Sequence, residues 1–178
     1  MTRAQGKPAV IGIAGWKKSG KTTLVTRLVE EFTTRGLRVA TVKHAHHDFQ
    51  IDAGETDSAR HRRAGAQQVA IVSSERWAVV NELRGAPEPS LEAVIAGLAP
   101  CDLVIVEGYK ASAIPKIEAR RLAATSRIPL ADGDSSFVAI AADHAVEKTA
   151  VPVLPLDDIK AIAGFIEDLL ALRTSARN

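Results

Sequence analysis

The sequence predicts a three-layer α/β domain with a mostly parallel sheet, on three observations. Val10, Ile11 and Ile13 form a short apolar, β-branched run, and Leu24, Val25, Leu28, Val29 and Phe32 repeat at helical spacing some ten residues later. Residues 103–106 and 137–142 are continuously apolar, as expected of strands buried on both faces of a parallel sheet. Helical patterns with small polar caps alternate with these strands, which is the layout of βαβ units.

Each element follows from local signals. The first helix is expected over residues 22–35, closed by Gly36 before a strand at 37–42. Thr56 or Asp57 caps a short helix at 58–64 that carries Arg60, His61, Arg62 and Arg63 and ends at Gly65. Val69–72 and Trp77–80 flank four polar residues, the pattern of an antiparallel hairpin, which makes the expected sheet a mixed one. Ser90 caps a helix with Leu91, Val94, Ile95 and Leu98 on one face. Residues 114–118 read as a short strand, 121–136 as loop, 151–154 as the last strand, and Asp157 caps a final helix. Residues 1–173 are read as a single domain and 174–178 as a frayed tail.

The link between the first strand and helix is GWKKSGKT, residues 15–22, which fits G-x-x-x-x-G-K-[ST]. From average residue usage, a chain this long would hold that pattern by chance on the order of one time in a hundred. It is a phosphate-binding loop, so the fold expected is P-loop NTPase-like. Gly15 and Gly20 let the backbone turn tightly, and Trp16, Lys17, Lys18, Ser19, Lys21, Thr22 and Thr23 supply successive N–H groups at the helix's positive end. Lys21 adds a cation for the β- and γ-phosphates, and Thr22 a hydroxyl for Mg²⁺. Glu107, at the end of DLVIVEG, is the first candidate for the acidic residue that holds Mg²⁺ and supports hydrolysis, with Asp52 and Asp57 competing. Asp57 also suits a helix cap, and Asp52 a turn.

Two polar clusters keep two readings each. His44, His46 and His47 suit either a transition metal or hydrogen bonding beside phosphates. Arg60, Arg62 and Arg63 suit either an anionic ligand or a solvated face. An N-K-x-D guanine motif is absent, and Asp143 is the nearest carboxylate placed to accept from guanine's N–H groups.

Composition bounds the partners. With 178 residues, 46% hydrophobic, 25% charged and a formal net charge of +2, the chain has ample core and no reason to seek nucleic acid. No stretch approaches a membrane span and the N-terminus lacks a secretory pattern, so a cytoplasmic protein is expected. Cys101, the single cysteine, precedes an apolar strand and receives no chemistry.

GWKKSGKTTL, VKHAHHDFQID, DSARHRRAGA, LVIVEGYK and IPKIEARR, in that order, resemble the molybdopterin-guanine dinucleotide biosynthesis adaptor protein family, the B protein of that pathway. The resemblance runs from Ile11 to about Arg121. It implies GTP as ligand with Mg²⁺, weak GTPase activity and a homodimer. It also implies help to a molybdenum cofactor guanylyltransferase that attaches GMP to molybdopterin. GTP over ATP rests on this resemblance. The family's Pro-Gly-Lys turn between Asp52 and Asp57 is replaced here by Ala53, Gly54, Glu55 and Thr56. The rivals are a small-molecule kinase, with Arg120 and Arg121 in a lid, and a metallochaperone GTPase using the histidines.

Overall fold

The computed structural model describes residues 7–45, 51 and 54–172. Its elements are β1 (Ala9–Ala14), α1 (Lys21–Thr34), β2 (Val39–Lys43), α2 (Asp57–Arg63), β3 (Gln68–Val72), β4 (Trp77–Asn81), α3 (Leu91–Ala96), β5 (Leu103–Glu107), β6 (Lys116–Arg120), β7 (Phe137–Ala142), β8 (Val153–Pro155) and α4 (Ile159–Leu170). The chain forms two compact units, Met1–His44 with Ile95–Asn178, and Ala45–Val94.

The larger unit is built on a six-stranded sheet of order β2-β5-β1-β6-β7-β8 in which every pairing is parallel. The α/β class with a predominantly parallel sheet thus stands, but the sheet itself is not mixed. The hairpin β3-β4 forms a separate two-stranded sheet. Alternating apolar residues make a hairpin, but they do not say which edge, if any, it joins.

Ile11, Ile13, Leu103, Ile105 and Ile117 project from the sheet onto Leu24, Leu28 and Phe32 of α1 and Ile162 and Ile166 of α4. Each of these side chains is essentially buried, and at about 1.5–3 kcal/mol per large side chain this layer dominates stability. Arg35 ties the two helices by pairing with Glu31 and Glu167, each at 2.6 Å. Where β1 and β6 run side by side, a Cβ on Gly12 would lie 2.7 Å from Lys116 Cγ and 3.2 Å from Ile114 Cδ1, so the absence of a side chain at Gly12 makes room for the Lys116 stem.

Element ends are set by caps. Gly36, at φ 85°, donates to Thr33 O, and Leu37 N donates to Phe32 O, closing α1 one residue before the expected end. Thr56, not Asp57, caps α2 by accepting from Ala59 N. Asp158 rather than Asp157 caps α4. β6 begins at Lys116, two residues later than read from sequence, and ends at Arg120. Among the described residues no helix is long and apolar enough to cross a membrane.

Candidate functional site

Residues 15–22 leave the carboxyl end of β1 in the middle of the parallel sheet, where strand ends and helix starts meet. Gly15 is required there: a Cβ would collide with Ser19 Oγ and sit 2.6 Å from the Ala119 carbonyl oxygen. Ser19 N donates to Trp16 O at 3.1 Å, Lys18 adopts φ 65°, and Gly20 adopts φ 87°. Both positive-φ residues bend the loop back on itself, a conformation Gly20 takes without strain. Gly20 is also the N-cap of α1, with no side-chain cap bond and no acidic residue in the first turn. The orphan N–H groups and the positive end of a 14-residue helix are therefore left for an anion from outside the chain.

The side chains around this cradle are poised for phosphate and a hard cation. Lys21 Nζ donates to Trp16 O at 2.7 Å. Burial pulls the Lys21 ammonium pKa down, nearby Lys110 and Lys43 push the same way, and Glu107 opposes them. Thr22 Oγ1 donates to Glu107 Oε1 at 2.9 Å, so the two proposed magnesium ligands already meet. Lys43 Nζ lies 3.4 Å from the same oxygen. Parallel register explains the convergence, because Lys43 and Ile13 are both partners of Glu107. Hydroxyl and carboxylate oxygen at hydrogen-bond distance suit Mg²⁺, which prefers hard oxygen donors. Lys17, Lys18 and Thr23 are exposed, Trp16 is half-buried, and Ser19 is buried with its hydroxyl unpartnered.

Asp143 lies after β7, beyond the carboxyl ends of the strands. With His144 and residues 153–157 it lines a cavity of about 400 Å³. Its Oδ1 accepts from Leu122 N at 3.1 Å and contacts His144 Nδ1 at 2.7 Å. The His144 contact, followed by the Leu122 amide against the cost of burial, holds the carboxyl below the usual range. The structure thus places Asp143 in a pocket, but with part of its accepting capacity already used.

His44 donates its backbone N–H to Glu107 O at 2.9 Å, and its ring lies 4.6 Å from that of Tyr109. His46, His47 and Asp52 lie outside the described residues; among the described residues no group of three His, Cys, Asp or Glu is placed to hold a metal ion. In the smaller unit the arginines of α2 carry carboxylate partners: Arg60 with Asp57 at 3.7 Å, Arg62 with Glu82 at 3.3 Å and Arg63 with Glu55 at 3.1 Å. Arg62 is mostly buried, whereas Arg60 and Arg63 reach outward. Arg120 pairs with buried Glu118 at 2.8 Å, which ties it into the fold rather than into a lid. Burial, then Asp102, pushes the Cys101 thiol up, keeping it in its less reactive form.

Sequence reasoning missed Lys43 and Lys110. Lys110 Nζ stands 3.9 Å over the Trp16 ring. The available signal was register: a strand that must pair beside DLVIVE brings its own end to Glu107.

Comparison with known proteins agrees with this geometry. The family described as molybdopterin guanine dinucleotide synthesis protein B matches residues 10–143. The molybdopterin-guanine dinucleotide biosynthesis adapter protein of Haemophilus influenzae is 38% identical over 164 residues, covering 90% of this chain and 89% of that one. The Escherichia coli protein of the same name is 33% identical over 159 residues, covering 88% and 90%. The crystal structure of a MobB protein homolog from Bacillus stearothermophilus superposes with a TM-score of 0.69 at 28% identity, covering 92% of this chain and 99% of that one. Sheet, phosphate loop and sequence lead to one assignment: this chain belongs to the molybdopterin guanine dinucleotide synthesis protein B family.

Proposed function

We propose that this protein is a GTP-binding accessory protein of molybdenum cofactor biosynthesis, assisting a guanylyltransferase that attaches GMP to molybdopterin. The adapter role comes from the relatives' names. The nucleotide role is supported by one observation above the others: the glycine-capped α1 leaves its first-turn N–H groups unclaimed inside a loop edged by Lys21. Thr22 and Glu107 would hold Mg²⁺, which when bound offsets the phosphates' negative charge. Lys21 would leave the Trp16 carbonyl for the phosphates. Asp143 would face the base from the neighbouring cavity.

Hydrolysis of the bound nucleotide is proposed to be slow. Glu107 would support it by orienting Mg²⁺. Arg60 and Arg63, the outward-reaching members of the α2 cluster, would meet molybdopterin's phosphate or an acidic surface of the transferase. The protein is proposed to be a cytoplasmic homodimer.

The test is a reconstitution in which transferase, GTP, Mg²⁺ and molybdenum-loaded molybdopterin are assayed with and without the protein. Stimulated formation of the guanine dinucleotide cofactor is expected, lost in an Arg60→Ala, Arg63→Ala double variant that still binds GTP. No stimulation with transferase limiting would remove the adapter role. Turnover that rises with small phosphate acceptors would favour the kinase, and stoichiometric zinc or nickel would favour the metallochaperone.

A further inference from the structure

The fragment PKIE places a lysine and a glutamate where a strand interior should be apolar. Lys116 is fully buried and Glu118 is 1% exposed. They lie on β6, which pairs with the phosphate-loop strand through Gly12↔Lys116 and Ala14↔Glu118. Ile117 and Ala119 join the core that packs on α1 and α4, so strand alternation sends Lys116 and Glu118 to the opposite face. Gly12 lacks the side chain that would collide with the Lys116 stem. Buried charges are expensive, and a chain retains them where they are satisfied and hold something in place.

Lys116 holds the segment after Glu107 and also touches the 121–136 loop, which Glu118 holds. Lys116 Nζ donates to Lys110 O at 2.8 Å and to Ser112 O, lies 3.4 Å from Asp134 Oδ2, and stands 4.9 Å over the Phe137 ring. It thereby staples the segment after Glu107, in which Gly108 and Tyr109 adopt φ 97° and 46°. Glu118 accepts from Leu130 N at 3.1 Å and Ala131 N at 2.9 Å, and pairs with Arg120. It thereby staples the 121–136 loop.

Both stapled loops end on the phosphate loop, and on the same residue. Lys110 from the first stands over the Trp16 ring. From the second, Ile128 O accepts from Trp16 Nε1 at 2.7 Å, and Thr125 N donates to Lys17 O at 3.0 Å. Trp16 O in turn holds Lys21 Nζ.

We propose that Lys116 and Glu118 are positioning residues that clamp the phosphate loop from both sides through Trp16, fixing its anion-accepting form. The proposal deepens the nucleotide reading and rests on it for its affinity arm. Its other arm, the state of Trp16 in the nucleotide-free protein, does not.

The experiment uses the full chain carrying Trp77→Phe, which leaves Trp16 the only tryptophan of the two. Lys116→Met and Glu118→Gln are compared with this parent for Trp16 emission, acrylamide quenching, GDP affinity and melting temperature. The expected result is a shifted, more quenchable Trp16 without nucleotide, and GDP affinity about tenfold weaker, since small misplacements of a preorganised site are felt strongly. A lower melting temperature with Trp16 emission and GDP affinity unmoved would mean a merely structural role and overturn the proposal. Should either variant fail to fold, Leu130→Pro, which removes one donor to Glu118, and Asp134→Asn, beside Lys116, decide the same readouts. A changed Trp16 signal supports the clamp, and two unchanged signals overturn it. If the parent binds neither GDP nor GTP, the nucleotide reading fails, while the Trp16 arm still decides whether the two charges fix the loop.

Discussion

Lys21 is held in the phosphate loop against the cost of its own burial. Burial and two neighbouring lysines lower its pKa, while the Trp16 carbonyl and Glu107 retain it. Phosphate oxygens would reverse that balance, and charged hydrogen bonds contribute roughly 1.5–3 kcal/mol each. Lys21→Ala is therefore expected to weaken GTP binding by about a hundredfold or more in calorimetric titration, and unchanged affinity would refute the site. Thr22→Ala is expected to lose Mg²⁺ dependence first, and Glu107→Gln to slow hydrolysis more than it weakens binding. Asp143 supplies a pH test. Its folded pKa is depressed, so its contribution is full above the ordinary carboxylate pKa of about 3.9 and is lost as pH falls through the lower folded value. Urea midpoints of wild type and Asp143→Asn should differ above the ordinary carboxylate pKa and converge as pH falls below about 4. Convergence already at pH 6 would count against the His144 and Leu122 contacts.

Among the elements, the phosphate loop and its flanks were legible because a spaced motif, a β-branched run and a helical stripe agree over residues 10–32. Gly15→Ala tests that reading. The added carbon meets a backbone carbonyl, which cannot swing away as a side chain would, so the loop must distort. A loss of nucleotide binding larger than the change in melting temperature is expected. The hairpin was legible as a hairpin and not as a separate sheet, since alternation at residues 68–72 and 77–81 carries no information on what lies beside it. PKIE is legible as a strand, but the burial of its lysine and glutamate is not. A lysine and a glutamate two residues apart look like a solvated edge until the neighbouring strand places them at its centre. The arginines of α2 stood out in sequence, but their partners Glu55, Asp57 and Glu82 could be paired with them only by the fold.

For the whole molecule, the proposed homodimer needs a surface, and the hairpin presents one. A lone two-stranded sheet is marginal in water, and contiguous exposed apolar groups mark interaction sites. In the β3-β4 register Val72 pairs with Trp77 and Ala70 with Val79. Val72 is 74% exposed and Trp77 71%, while Val69, on the opposite face, is 8% exposed. Trp77→Glu places a charge at the turn end of that apolar strip, where burying it unpaired would cost several kcal/mol. Sedimentation of the wild type should give a dimer at micromolar concentration, with Trp77→Glu shifted toward monomer and GTP affinity little changed, because phosphate loop and hairpin belong to different compact units. A Trp77→Glu protein that sediments as the wild-type dimer would move the interface elsewhere. A monomeric wild type would remove the dimer and leave the strip to the transferase, whose protection of Trp77 from oxidation would then be the next measurement.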